Sequence, residues 1–389
     1  MEPKTWLAAL SAALLLGACG GGAAPQSGAD GRSDIAALGE KLFRDRSLSA
    51  SGRQSCASCH EAAHAHAPAN VLAAQLGGPL GDQQGTRSAP SLRYLADNGA
   101  FGFDADGTPR GGFFWDGRAA SLQAQARAPF LNPREMANAS VAEVVQRLSR
   151  APYAAEFRAH FGADIFDRPD DAFDRIALAL AQYQREDPEF RPFSSKYDAV
   201  LRGEAVLSAS ESRGLALFNR ADKGNCAACH PSRSTAAGSP PLFTDFSYDN
   251  LGLPRNRELA VNADRAYFDL GLCQRAELAA RTDLCGAFKV PSLRNVAARG
   301  ALFHNGRFKS LKEALSFYVQ RDTHPEKWYP LLADGTLDKF DDLPPAHRAN
   351  VNKQEAPYNR RPGDAPALSD AEIDDVIAFL KALSDGFLP

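Results

Sequence analysis

The sequence has no excess of charge of either sign: 44 lysines and arginines stand against 47 aspartates and glutamates in 389 residues, a formal net charge of −3. That balance excludes a nucleic-acid binder built on a basic face, and an apolar fraction of 44% excludes a disordered chain. Long apolar runs are missing as well. The N-terminal run, residues 6–16, is about half of the roughly 20 residues that a bilayer span requires, so a stable transmembrane anchor is not expected. No run of alternating apolar and polar residues marks an extended sheet. What remains is a globular chain too long for one small module, and its length favours two domains plus appendages.

Residues 1–18 read as an export signal: Lys4 near the start, the apolar run, then Leu16-Gly17-Ala18 ahead of Cys19. Leu-Gly-Ala-Cys resembles the lipobox of bacterial lipoproteins, in which the cysteine is lipidated, and residues 19–33 have the composition of a flexible tether. The expected location is the periplasm, with a lipid anchor at Cys19 as the one link to the outer membrane. Plain signal cleavage is the alternative. The seven cysteines sort without remainder. Cys56/Cys59 and Cys226/Cys229 each begin a Cys-x-x-Cys-His, and Cys273/Cys285 are left as a pair. In an oxidising compartment that last pair reads as a disulfide closing a short loop, with two free thiols as the alternative.

Laid over each other, the two Cys-x-x-Cys-His sites show one plan twice. Gly39-Glu40-Lys41-Leu42-Phe43 matches Gly214-Leu215-Ala216-Leu217-Phe218, each on an expected helix ahead of its cysteines; the second carries a capping box from Ser208 to Glu211. Pro90-Ser91-Leu92-Arg93 matches Pro291-Ser292-Leu293-Arg294. Phe114-Trp115-Asp116-Gly117-Arg118 matches Phe303-His304-Asn305-Gly306-Arg307, and Ser121-Leu122 matches Ser310-Leu311. Four blocks in one order predict an internal duplication, with loop insertions including residues 104–112 and the segment carrying Cys273 and Cys285. Helices are expected over 170–184 and 369–383, each closing one copy. The linker is expected near 186–207, where helical periodicity stops and Pro188 and Pro192 intervene.

Cys-x-x-Cys-His attaches a c-type haem: two thiols bond the porphyrin vinyl groups and the adjacent imidazole reaches the iron from one face. A thioredoxin-like redox pair or half a zinc site would need a βαβ pattern or a second ligand pair, and neither accompanies these motifs. His60 and His230 are therefore expected as proximal ligands of two covalently bound haems c. A filled sixth position suits electron transfer, whereas an empty one admits peroxide.

With these blocks in place, the chain resembles the bacterial di-haem cytochrome c peroxidases and MauG over nearly its whole mature length. The resemblance implies an all-α protein of two cytochrome c-like domains, 34–200 with the peroxidatic haem and 201–389 with the second haem. It also implies a methionine ligand 14 residues after the histidine of a Phe-His-Asp-Gly motif, which here is Phe303-His304-Asn305-Gly306. That position holds Tyr318, as in MauG-like members; a phenolate would stabilise high iron oxidation states. A core tyrosine beside Phe317 is the alternative. The same offset from Trp115 falls on Pro129, and the removable histidine of classical members is replaced by Leu80, so the first haem should be open. His64 and His66 could substitute, but exposed or propionate-facing roles are favoured. Asn132-Pro133-Arg134-Glu135-Met136 resembles the motif carrying the distal acid/base glutamate, which makes Glu135 the candidate proton shuttle; a helix cap built from Asn132, Pro133 and Glu135 is the alternative. Trp115 matches the tryptophan between the haems, a relay or interdomain packing. The family's interdomain calcium uses an asparagine where this chain has Ser88, and its carbonyl positions are Arg299 and Ala301, departures that weaken the expectation of calcium.

The implied reaction is reduction of hydrogen peroxide with electrons from a small periplasmic cytochrome c or cupredoxin. A MauG-like variant would oxidise a side chain of a protein substrate. The rivals are a non-enzymatic di-haem electron carrier, which needs both irons capped, and a haem-based sensor, which Glu135 disfavours.

Overall fold

The structure, a computed structural model, describes residues 31–388. Cys19 and the export signal lie outside them. The tether ends before the expected residue 33. Ser33 donates to Glu186 from its backbone N–H (2.7 Å) and hydroxyl (3.1 Å), and it caps the first helix by accepting from the Ala36 N–H. Arg32 pairs with Glu40 at 2.9 Å.

Two helix pairs carry the two hydrophobic cores. Asp34–Arg44 packs on Pro169–Glu186, and Ala209–Asn219 packs on Asp370–Lys381. Leu38, Leu42 and Phe43 recur at helical spacing on the buried face of the first helix, as Ile373, Val376 and Leu380 do on the last. Each side chain so buried is worth about 1.5–3 kcal/mol. A glycine sets how closely each pair can approach: a Cβ on Gly39 would lie 2.0 Å from the Ala179 carbonyl, and one on Gly214 would lie 2.0 Å from the Asp375 carbonyl. The helix starts are written locally, since Ser208 with Glu211 and Ser369 with Glu372 both form full capping boxes.

All-α is too simple a description. Three two-stranded antiparallel ladders accompany the helices: the hairpins Leu76–Gly77 with Gln83–Gln84 and Gly102–Phe103 with Pro109–Arg110, and the long-range pair Tyr248–Asp249 with Phe288–Lys289. Long irregular segments connect the rest. Strands of two residues are too short to show alternation, which is why periodicity missed them. Much of the insertion at 104–112 belongs to the second hairpin, turning at Gly107 (φ 86°). The segment 186–207 is no bare linker either. Phe190 and Tyr197 are buried, Lys196–Leu201 is a helix with its own capping box, and Asp198 makes a buried bidentate pair with Arg294 at 2.8 and 2.9 Å.

The halves repeat backbone geometry as well as letters. Left-handed φ values recur at matched positions: Tyr94 (63°) and Asn295 (60°), Phe114 (65°) and Phe303 (65°). Such values are uncommon for bulky residues, so each block imposes the same turn on its half. Cys273 and Cys285 are disulfide-bonded, with Cα atoms 4.8 Å apart, inside the second-half insertion. No helix among the described residues is long and apolar enough to cross a membrane.

Candidate active site

Each Cys-x-x-Cys-His histidine is held by a backbone carbonyl that its own half has fixed. His60 Nδ1 lies 3.2 Å from the His66 carbonyl, which also accepts the Leu92 N–H at 3.1 Å. In the second half His230 Nδ1 lies 2.8 Å from the Phe243 carbonyl, which also accepts the Leu293 N–H at 3.2 Å. The Pro-Ser-Leu-Arg block supplies these clamps. Its serine hydroxyl donates to a neighbouring carbonyl in both copies, Ser91 to Ala65 and Ser292 to Leu242, each at 2.6 Å. Burial lowers both imidazoles, His60 to about 4 and His230 below its ordinary value, so each ring is neutral. A neutral ring whose Nδ1–H is given to a carbonyl offers the Nε2 lone pair to a metal.

The residues around the motifs fit a covalent c-haem. Cys56, Cys59, Cys226 and Cys229 form no disulfide, and burial pushes their thiols up, to about 11 at Cys59 and about 12 at the others. Those apolar surroundings suit a porphyrin. In the second half Cys226, Cys229 and His230 line a cavity of about 270 Å³, and so does Tyr318. Tyr318 packs against Phe303 (ring centroids 5.5 Å apart) and stacks on Tyr358 at 6.0 Å, and its hydroxyl makes no hydrogen bond to the described residues. Burial first, then the nearby Asp249 carboxyl, raises its pKa.

The first half is different on the side of Glu135. Its helix Leu122–Leu131 ends at Asn132, and 133–136 is a turn that no helix continues. Asn132 Oδ1 accepts the Arg134 N–H at 3.0 Å, as a local cap would, while its Nδ2 donates to Glu135 Oε1 at 2.6 Å; the Glu135 carbonyl accepts the Gly78 N–H at 2.8 Å. The neighbouring Gly77 cannot be larger: its Cβ would lie 2.7 Å from Glu135 Cα. Desolvation raises the Glu135 carboxyl even though the residue is exposed; the Asn132 bond and the Arg118 charge oppose the shift. Its charge in turn raises Cys56 and Cys59, which puts the carboxyl on the side of the first motif. Leu80, on the hairpin loop above this turn, is 73% exposed, and Pro129 sits inside Leu122–Leu131. Of the two roles expected for His66 the exposed one is excluded: it is buried and stacked on Phe190 at 4.0 Å, and neither ring nitrogen has a hydrogen bond. His64 is half-buried, 3.8 Å from Glu61.

Trp115 lies where the halves meet. Its indole N–H donates to the Ser88 carbonyl at 2.8 Å, its ring is 6.5 Å from that of His304, and its own carbonyl accepts the Lys289 N–H at 2.8 Å.

A family model described as di-haem cytochrome c peroxidase matches residues 33–206. The chain is 39% identical over 362 residues to the methylamine utilization protein MauG of Paracoccus denitrificans (strain Pd 1222), spanning 90% of this chain and 88% of that protein. It belongs to the di-haem cytochrome c peroxidase and MauG family. It is also 31% identical over 293 residues to the cytochrome c551 peroxidase of Nitrosomonas europaea, spanning 73% of this chain and 72% of that one. The crystal structure of the diheme peroxidase BthA from Burkholderia thailandensis E264 superposes with a TM-score of 0.84 at 40% identity, covering 90% of this chain and 86% of that one.

Three further residues near the motifs were not marked by local sequence patterns. Arg87 joins the halves: it forks onto Asp269 at 2.6 and 2.7 Å and reaches Asp116 at 2.6 Å, beside Trp115. Lys289 is buried against Phe113 and donates to the Gly112 carbonyl at 2.6 Å, and desolvation lowers it to about 7. Tyr358 lies in the same cavity as Tyr318. These pairings span from about 30 to nearly 200 positions of sequence, and no helical or strand period signals them.

Proposed function

We propose that this family member is a di-haem peroxidase that reduces hydrogen peroxide at an open haem on Cys56, Cys59 and His60, with a second haem on Cys226, Cys229 and His230 ligated by Tyr318. The two halves are read as cytochrome c-like domains related by duplication, 34–200 and 201–389. The observation that carries the reading is the turn at 132–136: it holds a carboxyl with a raised pKa beside the first motif, and no helix continues from it.

When bound, the haems supply the electrons for O–O cleavage and store the oxidising equivalents. The chain's own residues do the rest. His60 holds its ring through Nδ1 and presents Nε2. Glu135 takes a proton from peroxide and returns it to the leaving oxygen, with Asn132 orienting the carboxyl. Trp115 relays charge between the halves, and the phenol of Tyr318 favours the oxidised state of its site. Two electrons from a protein donor, a small periplasmic cytochrome c or cupredoxin, and two protons convert one peroxide into two waters. The export signal and Cys19 would place the enzyme in the periplasm on a lipid tether. The MauG relative at 39% identity keeps a second reading in view, in which the oxidising equivalents go to a side chain of a protein substrate.

The test is steady-state peroxide reduction by Glu135→Gln with both haems attached. The proposal expects turnover to fall about 10²–10⁴-fold, the usual worth of general acid–base catalysis, with haem spectra unchanged. Wild-type turnover in that variant would remove Glu135 from the chemistry.

A further inference from the structure

The structure contains a desolvated cation with no counter-ion. Arg299 leads into the Phe303 block, and burial alone lowers its pKa to about 10. No described carboxylate pairs with it. Its Nη2 donates to Ser88 Oγ and to the Ala89 carbonyl, both at 3.1 Å, and its remaining N–H groups have no partner among the described residues. It borders the 270 Å³ cavity of the second motif, and its charge is felt at His60 of the first. A guanidinium offers five donors in a fixed fork that matches a carboxylate. Arg299 is half-buried and lines the cavity, so its open N–H groups are available to an anionic group bound there.

The residues here do not fit the calcium ion that the resemblance implies. Calcium takes six to eight oxygen ligands, commonly including carboxylates. Among the described residues no cluster of three or more aspartate, glutamate, histidine or cysteine side chains could hold a metal. A gap bordered by Ser88, Arg299 and Ala301 has a volume of about 10 Å³, too small for an ion together with the waters that would complete its shell. The Ser88 hydroxyl oxygen there already accepts from the Arg299 guanidinium at 3.1 Å, so a positive charge stands where the ion would bind.

We propose that the Arg299 guanidinium is the built-in cation between the two haem sites, pairing with a haem propionate, and that the protein therefore works without calcium. The inference rests on the haem assignment above. It also ties the cation to Trp115: Arg299 holds the Ser88 hydroxyl, and the Ser88 carbonyl receives the Trp115 indole N–H.

The test uses the holoprotein, first counted for two haems per chain by pyridine haemochrome; a lower count would overturn the haem assignment and not this proposal. Calcium content is then measured by elemental analysis, and the EPR spectrum and thermal midpoint are compared before and after EGTA. The expected result is substoichiometric calcium and no response to the chelator. One tightly held calcium per chain, or a spectrum that changes on chelation, would overturn the proposal. Redox titration gives an independent arm. Removing a cation beside a haem carboxylate favours the oxidised iron, so Arg299→Ala should lower the midpoint potential of at least one haem and Arg299→Lys should restore most of it. Potentials unmoved in Arg299→Ala would show that the guanidinium only packs.

Discussion

The two halves hold their proximal histidines in the same way and differ in what surrounds them. His60 and His230 are each anchored through Nδ1 to a carbonyl that a Pro-Ser-Leu-Arg block has locked. Beyond that shared clamp, the second half encloses a cavity with Tyr318 and Tyr358, whereas the first sets Glu135 on a turn beneath an exposed hairpin. On the proposed reading the shared clamp supplies what any c-haem site needs, a neutral and oriented imidazole. The chemistry is then assigned by the residues that differ: at matching offsets His324 stands where the first half has Glu135, and Pro129 where the second has Tyr318.

Substitutions that erase or exchange those differences should sharpen the comparison. The largest effect is that of Glu135→Gln, already set at about 10²–10⁴-fold in turnover. The pH profile gives its sign. A raised carboxyl pKa means the base is lost as pH falls through a value above the ordinary ~4.3, so the acid limb of activity should lie above that of an exposed glutamate and vanish in Glu135→Gln. A limb unaffected by the substitution would assign the titration elsewhere.

Next in size is the pair that ties the supposed linker to the second clamp. Asp198→Ala leaves the Arg294 guanidinium buried and unpaired, and should cost about 3–5 kcal/mol of stability. Denaturant unfolding checks this, and a cost under about 1 kcal/mol would mean that 186–207 is as loosely attached as its prolines suggest. Tyr318→Phe should then make the two halves more alike: the phenolate ligand is lost, and the second haem should change spin state while peroxide turnover at the first persists at reduced efficiency. An unchanged EPR spectrum would return Tyr318 to the core.

The smallest expected effect concerns Lys289. Its folded pKa of about 7 lies below the unfolded value of about 10.4. The unfolded chain therefore binds more protons between those values, the cost of the buried charge is fully present below pH 7, and stability recovers as pH rises toward 10. Lys289→Met should raise the thermal midpoint more at pH 6 than at pH 10. Equal shifts at both would mean that the ammonium is adequately solvated.

How much of this was legible depended on range. The cysteines and their adjacent histidines and the capped helix starts are written within a few residues, and the paired Pro-Ser-Leu-Arg blocks are legible because the same letters recur; local spacing or repetition states them directly. The hairpins escaped because two residues cannot show a period of two. The burial of His66 and the packing of 186–207 were not legible because the partners, Phe190 for His66 and Arg294 for Asp198, are about 100 positions away. Arg299 was noticed only as a departure from a calcium pattern; its free donors and the Ser88 contact needed coordinates.

The central claim is that two equally anchored haem sites differ in their sixth position, and low-temperature EPR of the as-isolated ferric protein, followed by stoichiometric peroxide, tests it most directly. The account predicts one high-spin and one low-spin haem, with both signals lost promptly on peroxide. Two low-spin haems indifferent to peroxide would contradict it and leave an electron carrier.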